Sequence, residues 1–140
     1  MRVLFDTNII LDILLDRLPH AKVASALVSR VERGELVGYL CATTLTTIFY
    51  LSTKTIGKTV THRHIKKLLE LFEIALVNRS VLECALTLGF NDFEDAVLYE
   101  AARHVEAECI VTRNIKDFKS ANIPIYLPNE LEAILNTPNL

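Results

Sequence analysis

Short aliphatic runs that alternate with longer segments of helical period constrain the fold of this chain more than any other feature. The runs lie at residues 3–5, 37–41, 74–77, 109–112 and 125–127. Continuous apolar runs of this length are typical of strands that are buried on both faces of a parallel sheet. Between the first two runs, apolar residues recur between residues 24 and 31 at the spacing of one helix face. The alternation predicts βαβ units.

The rest of the chain continues this pattern. Apolar residues recur at helical spacing between residues 65 and 72, a further helix is predicted from about residue 93 to 106, and a short helix follows Pro128. The sequence contains no linker rich in proline or serine and no internal repeat. We therefore expect a single domain over residues 1–140, built as a three-layer α/β/α sandwich with a central parallel sheet.

Composition and charge limit the class of protein. Hydrophobic residues make up 51% of the sequence, which excludes a disordered tail, and the net charge of −2 excludes a polycation that binds nucleic acid through bulk charge. Three separated cysteines without a C-x-x-C motif are expected to be reduced. The amino terminus does not resemble a signal peptide, and the longest uncharged stretch, residues 36–53, is rich in hydroxyl groups. We expect a soluble cytoplasmic protein with no membrane partner.

Acidic residues stand where predicted strands end or a predicted helix begins. Asp6 follows the first strand, Asp92 and Asp95 lie at the start of a helix, and Asp117 lies in the segment after the fourth strand. Loops at the carboxyl ends of parallel strands converge, so we expect these carboxylates to lie together. Each one alone can also cap a helix or interact with its dipole. Several carboxylates at one sheet edge repel one another, and Mg²⁺ or Mn²⁺ is the usual compensation.

A cation held by carboxylates points to phosphoryl chemistry, because it activates water and stabilises charge on the attacking and leaving oxygens. The sequence contains no glycine-rich phosphate loop, no G-x-S-x-G elbow and no H-E-x-x-H motif. A phosphodiester or a phosphate ester is therefore the expected substrate.

Three segments resemble, in this order, the motifs of the PIN domain family. They are FDTNIIL at residues 5–11, FEDA at residues 93–96 and IVTRNIKDF at residues 110–118. The resemblance spans about residues 1–128. PIN domains have a Rossmann-like fold, and many are Mg²⁺- or Mn²⁺-dependent ribonucleases, commonly the toxin half of VapBC-type pairs. The resemblance implies a metal-dependent endoribonuclease that hydrolyses RNA and is restrained by a cognate antitoxin protein.

The resemblance also implies roles for the acidic residues. Asp6 matches the first family acid and Asp95 the third, so both are expected to be catalytic metal ligands. Asp92, one helical turn before Asp95, is expected to be an auxiliary ligand. The fourth family acid often stands where this chain has Asn114, whereas related sequences place it three residues later, where this chain has Asp117.

Residues near the fourth acid are expected to contact the substrate. Thr112 and Arg113 match a family position near the scissile phosphate, and Asn114 supplies a neutral oxygen beside them. The guanidinium of Arg113 can pair with two phosphate oxygens, but a surface salt bridge is an alternative partner for it.

One departure from the family pattern keeps a second function open. The second family acid normally stands at the start of the helix after the second strand, at the position of Thr47, and a hydroxyl adds no charge to hold a cation. The chain is therefore either a ribonuclease or a catalytically weakened PIN domain that binds RNA or a protein. A different metal phosphohydrolase is a third hypothesis, although the D-x-D-x-T start typical of haloacid-dehalogenase phosphatases is missing.

The apolar first helix bears on the expected partners. Residues 9–15 carry apolar side chains on more than one side of the helix. A homodimer partner, an antitoxin segment or the core of the chain itself would cover such a surface.

Overall fold

The computed structural model describes residues 1–137, in which five parallel strands form one sheet. The last three residues of the expected domain lie outside the described part. The strands are β1 (Arg2–Phe5), β2 (Val37–Cys41), β3 (Glu73–Ala75), β4 (Cys109–Val111) and β5 (Ile125–Tyr126). Their order across the sheet is β3-β2-β1-β4-β5, so β1 lies in the centre with β4 beside it.

Helices connect the strands. Within the described residues the α-helices are α1 (Thr7–Leu14), α2 (His20–Glu32), α3 (Ala42–Ile56), α4 (Lys58–Leu71), α5 (Arg79–Leu86), α6 (Phe93–His104) and α7 (Pro128–Leu135). A short 3-10 helix, Ile115–Phe118, follows β4. No helix among residues 1–137 is both long enough and apolar enough to cross a lipid bilayer.

The two faces of the sheet belong to separate hydrophobic clusters, because successive side chains of a strand point in opposite directions. In β1, Val3 and Phe5 lie in one cluster and Leu4 in the other, and all three are fully buried. Helices α1, α2, α3, α4 and α7 contribute side chains to the first cluster, and α5 and α6 contribute to the second. The predicted three-layer α/β/α sandwich with a parallel sheet is confirmed.

Helix α3 is the element that the apolar pattern of the sequence does not reveal. Its buried residues are Thr44, Ile48 and Ser52, which are four residues apart and therefore lie on one helix face. Two of these three side chains are polar, and the hydroxyl of Ser52 accepts a hydrogen bond from Thr61 Oγ1 of α4 at 3.0 Å. A buried face of this composition leaves no apolar periodicity in the sequence.

The apolar helix α1 is covered mainly by the chain itself. Ile9, Ile10 and Leu11 are buried in the first hydrophobic cluster. Ile10, together with the partly buried Ile13 and Leu14, also borders an apolar cavity of about 130 Å³ against α2 and α4. Core burial therefore accounts for most of the apolar surface of this helix.

Candidate functional site

The central strands β1 and β4 end side by side, and the residue after each strand is polar. Phe5 pairs with Val111 across the sheet, so Asp6 and Thr112 become neighbours. Thr112 Oγ1 donates a hydrogen bond to Asp6 Oδ2 at 2.7 Å. The other oxygen, Asp6 Oδ1, accepts from the backbone N–H of Thr7 at 2.7 Å and caps α1. Asp6 is thus a helix cap whose second oxygen is held at the carboxyl edge of the sheet.

Burial and hydrogen bonding act in opposite directions on Asp6. Its removal from water raises the pKa of the carboxyl, while the hydrogen bonds from Thr112 and Thr7 lower it. The negative charges of Asp117 and Glu94 raise the pKa further, and the net effect is an increase. Asp117 and Glu94 therefore lie close enough to Asp6 to repel its charge.

The amino terminus of α6 brings further carboxylates to the same edge. Asp92 caps this helix, because its Oδ1 accepts hydrogen bonds from the backbone N–H groups of Glu94 at 2.7 Å and Asp95 at 3.2 Å. Burial, followed by the charges of Asp6 and Asp92, raises the pKa of Asp95 to about 7. A carboxyl with this pKa is half protonated at neutral pH, which shows how strongly the surroundings oppose a further negative charge.

These residues surround a pocket of about 210 Å³, which we call the acid pocket. It is lined by Asp6, Thr7, Asn8, Leu11, Asp92, Glu94, Asp95, Leu98 and Asn114. Four of these side chains are carboxylates and none is basic. The structure therefore brings together Asp6, Asp92, Asp95 and Asn114, as the sequence predicts.

Asp117 lies beside the acid pocket and not in its lining. It borders an adjacent pocket of about 130 Å³, which Asp92 and Asp95 also line. Its charge raises the pKa of both Asp6 and Asp95. Of the two alternatives for the fourth acid, Asn114 is thus in the acid pocket and Asp117 is at its margin, where Lys116 also lines the adjacent pocket.

Thr112 and Asn8 orient the groups around Asp6. The Thr112 hydroxyl accepts a hydrogen bond from the backbone N–H of Asn114 at 3.0 Å while it donates to Asp6. Asn8 Nδ2 donates to Asp6 Oδ2 at 3.3 Å, and its Oδ1 accepts from the backbone N–H of Arg113 at 3.3 Å. Because Thr112 is fully buried, it acts on the pocket through Asp6 and Asn114.

The side chain of Arg113 does not line the acid pocket and binds a partner that the sequence does not reveal. Its Nε and Nη2 donate to the two carboxylate oxygens of Asp12 at 2.6 and 3.0 Å. Asp12 is completely buried, and Arg17 lies 3.6 Å from the same carboxylate. Arg113 therefore forms a salt bridge, but with a buried acid of α1 and not the surface salt bridge that was the alternative.

Two residues of the site were missed in the sequence. Glu94 lines the acid pocket, and its Oε1 accepts a hydrogen bond from Thr47 Oγ1 of α3 at 3.3 Å. The sequence signal for Glu94 is its position beside Asp95 in the first turn of a helix. A favourable interaction with the helix dipole explains an acid at this position equally well. Asp12 was visible as a single acid among the apolar residues of α1, a position that requires a partner.

The side chains around the acid pocket fit a hard divalent cation by their chemistry. Within residues 1–137, no three Asp, Glu, His or Cys side chains are grouped closely enough to ligate one ion as they stand. The lining nevertheless offers carboxylate and amide oxygens, the ligands that Mg²⁺ and Mn²⁺ prefer, and it contains no basic side chain. Burial raises the pKa of Asp6 and Asp95 most, and the neighbouring carboxylates raise it further by repulsion, which a cation would relieve.

Comparison with solved structures finds the same fold in toxin proteins. VapBC2 from Rickettsia felis, bound to a DNA fragment from its promoter, is 17% identical with a TM-score of 0.68, over 91% of this chain and 98% of that chain. A toxin–antitoxin complex from Klebsiella pneumoniae is 23% identical with a TM-score of 0.68, over 90% and 97%. VapC20 from Mycobacterium tuberculosis, a toxin that cleaves the sarcin-ricin loop, is 14% identical with a TM-score of 0.68, over 86% and 95%.

Fold and pocket together define the class of protein: an α/β sandwich that gathers acidic side chains where the central strands of a parallel sheet end. No curated protein sequence matches the chain. The sequence profile of the PIN domain matches residues 2–116, which is most of its length. The chain belongs to the PIN domain family, and the resemblance noted in the sequence is confirmed.

Proposed function

We propose that this PIN domain, over residues 1–140, is a metal-dependent endoribonuclease that hydrolyses RNA phosphodiesters. The observation that carries the proposal is the acid pocket, in which four carboxylates and no basic side chain face one cavity. Membership of a family in which many proteins are nucleases supports the same reaction. Mg²⁺ or Mn²⁺, when bound, would activate a water molecule and stabilise negative charge on the phosphate oxygens.

Asp6, Asp92 and Asp95 are the residues that we propose as metal ligands. Thr112 and Asn8 would keep the carboxylate of Asp6 in place through their hydrogen bonds. Side-chain rotation has to close the ligands on one ion, and a rotamer change of Asp92 would give up its hydrogen bonds to the start of α6. Asp117, at the margin of the pocket, would contribute negative charge and assist catalysis from there.

The proposed RNA contacts lie on the loop after β4. Asn114 is exposed and lines the acid pocket, so its amide can reach a phosphate or a base at the reacting position. Arg113 is partly exposed beside it and lines an adjacent depression that Asn114 also lines. We propose that Arg113 contacts the RNA backbone from this depression while Asp12 holds its guanidinium in place.

RNA cleavage by purified protein tests the proposal. We expect Mn²⁺ or Mg²⁺ to support cleavage that a chelator abolishes, and we expect Asp6→Asn and Asp95→Asn each to reduce the rate by about 100-fold or more. Cleavage of equal rate in wild type and both variants would identify a contaminating nuclease and contradict the proposal. Absence of cleavage by the wild type with either ion would contradict it as well.

Thr47 supports a second candidate function, that of a weakened PIN domain that binds RNA or a protein without cutting. Its hydroxyl replaces an acid of the family pattern and lowers the charge available to hold a cation. This candidate predicts that the wild type binds RNA without cleaving it, and that Thr47→Glu introduces metal-dependent cleavage. Hydrolysis of a small phosphate ester but not of RNA would instead favour a different metal phosphohydrolase.

We also propose that an antitoxin protein restrains the enzyme in the cytoplasm and that the chain forms a homodimer. The similar structures include a VapBC assembly and another toxin–antitoxin complex, which supports an antitoxin partner. The apolar cavity beside Ile10, Ile13 and Leu14 offers surface that a partner would cover. Co-expression with the product of the neighbouring reading frame, followed by co-purification, tests the pairing.

A further inference from the structure

The departure at Thr47 leaves a deficit of negative charge on the α3 side of the acid pocket. In the family pattern an acid stands at this position, and affinity for a divalent ion depends on the number of charged ligands. Thr47 is partly buried at this position and carries only a hydroxyl group. A site that binds a divalent ion with this chain's residues therefore needs a carboxylate from another element.

Glu94 is the carboxylate that the fold brings to this position. It lies on α6, and its side chain accepts the hydrogen bond from Thr47 Oγ1 of α3 at 3.3 Å. Its backbone N–H is held by Asp92 Oδ1 at 2.7 Å, which fixes the start of the side chain. Glu94 also belongs to the lining of the acid pocket together with Asp6 and Asp95.

A role in the helix dipole alone does not explain this placement. An acid in the first turn of an exposed helix interacts favourably with the dipole from any side-chain direction, including one toward solvent. The exposed Glu94 instead contacts Thr47 of α3 and lines the acid pocket with three other carboxylates, and its charge repels those of Asp6 and Asp95 as long as no cation is present. This repulsion is compensated when the four negative charges share a cation.

We propose that Glu94 replaces the missing acid at position 47 and supplies the fourth negative charge of the metal site from α6. Thr47 then acts as a positioning residue that holds the Glu94 carboxylate on the α3 side of the pocket. The substitution of the acid by a threonine is thus a relocation of the carboxylate and not a loss of it. This inference rests on the metal site of the proposed function.

Mn²⁺ binding measured by isothermal titration calorimetry tests the assignment independently of catalysis. Because Glu94 supplies one of four charges, we expect Glu94→Gln to weaken Mn²⁺ binding on the order of 10-fold or more. The double variant Thr47→Glu, Glu94→Gln returns a carboxylate to α3 and should recover most of the affinity. Glu70→Gln, a matched change at an exposed position of α4 outside the pocket lining, should leave Mn²⁺ binding unchanged.

Thermal unfolding in a chelator separates binding from folding. Glu94→Gln removes a repelled charge, so the melting temperature of the metal-free variant should equal or exceed that of the wild type. Equal Mn²⁺ affinity of wild type and Glu94→Gln would overturn the inference, as would a double variant that binds Mn²⁺ as weakly as Glu94→Gln. Absence of Mn²⁺ binding by the wild type would overturn the inference together with the proposed metal site. Mn²⁺ binding that depends on Glu94 without RNA cleavage would support the inference and contradict only the nuclease proposal.

Discussion

At the scale of the residue, Asp95 shows the electrostatic balance of the acid pocket most clearly. Burial, and then the charges of Asp6 and Asp92, raises its pKa to about 7, whereas the unfolded chain ionises near the ordinary value of 3.8. Between these two values the folded protein binds the proton and the unfolded chain does not. The stability that this group contributes is therefore present at low pH and is lost as the pH rises through about 7.

Asp95→Asn is expected to stabilise the metal-free protein at about pH 8 and to have a smaller or opposite effect near pH 5. The amide keeps the shape of the side chain and removes the charge that the neighbours repel. Because Asp95 is only partly buried and solvent screens part of the repulsion, we expect a gain of about 1 kcal/mol at the higher pH. Urea unfolding in a chelator at both pH values measures the change in the free energy of unfolding. A loss of stability at pH 8 would contradict the claim that neighbouring charges repel Asp95.

Asp12 illustrates a residue whose importance is structural. It is fully buried in α1 and forms two hydrogen bonds with the guanidinium of Arg113 after β4, with Arg17 nearby. The Asp12–Arg113 pair therefore links the loop that contains Asn114 to α1. Removal of one partner from such a pair leaves a charge without compensation.

Asp12→Asn is expected to lower the free energy of unfolding by about 3 kcal/mol. Glu83→Gln, which breaks the exposed ion pair with Arg79, serves as the control and should cost less than about 1 kcal/mol. Equal costs for the two variants in urea unfolding would show that burial of the Asp12 pair adds nothing to stability.

At the scale of the element, the packing of α4 against β2 depends on a glycine. The ring of Phe72, which directly follows α4, lies where a side chain at Gly38 of β2 would stand, since an added Cβ would be 2.7 Å from Phe72 Cε1 and 2.9 Å from Val31 Cγ2. Phe72 also makes an edge-to-face contact with Phe5 of β1, with ring centroids 5.2 Å apart.

Gly38→Ala is expected to destabilise the protein by about 1–3 kcal/mol, because the added methyl group overpacks this contact. Gly89→Ala is the matched control, since no atom lies within 4 Å of an added Cβ there, and its effect should stay within about 0.5 kcal/mol. Thermal or urea unfolding of the two variants makes the comparison, and a neutral Gly38→Ala would show that Phe72 can move away.

The sequence predicted elements best where burial leaves an apolar period. The five strands and the amphipathic helices α2, α4 and α6 follow directly from such periods. Helix α3 is not predicted by such a period, because its buried face carries the hydroxyls of Thr44 and Ser52. Strand ends differ by one or two residues, as for β4, which ends at Val111 because Thr112 turns toward Asp6.

The sequence identifies most of the acidic residues of the candidate site, but it does not reveal which side chains they contact. Asp6, Asp92 and Asp95 were identified because they stand where strands end or helices begin. The pairing of Arg113 with Asp12 joins residues 101 positions apart, and the contact between Thr47 and Glu94 joins residues 47 apart. The separation of two residues in the sequence does not show whether their side chains touch. Each of these contacts depends on which strands and helices become neighbours in the fold.

At the scale of the whole molecule, the strand order accounts for the location of the acid pocket. The central strand β1 pairs with β2 on one side and with β4 on the other, so the chain direction leads every loop after a strand to the same edge. Helix α6 carries Asp92 and Asp95 to this edge although it precedes β4 in sequence. The fold thereby collects negative charge that neither composition nor net charge reveals.

A crystal structure of the protein soaked in Mn²⁺, with anomalous scattering recorded at the manganese edge, tests the central claim most directly. We predict one anomalous peak in the acid pocket, within about 2.5 Å of oxygens from Asp6 and Asp95 and with Glu94 turned toward it. Absence of a peak at saturating Mn²⁺, or a peak only at a site remote from these carboxylates, would contradict the claim that the gathered acids exist to hold a divalent ion.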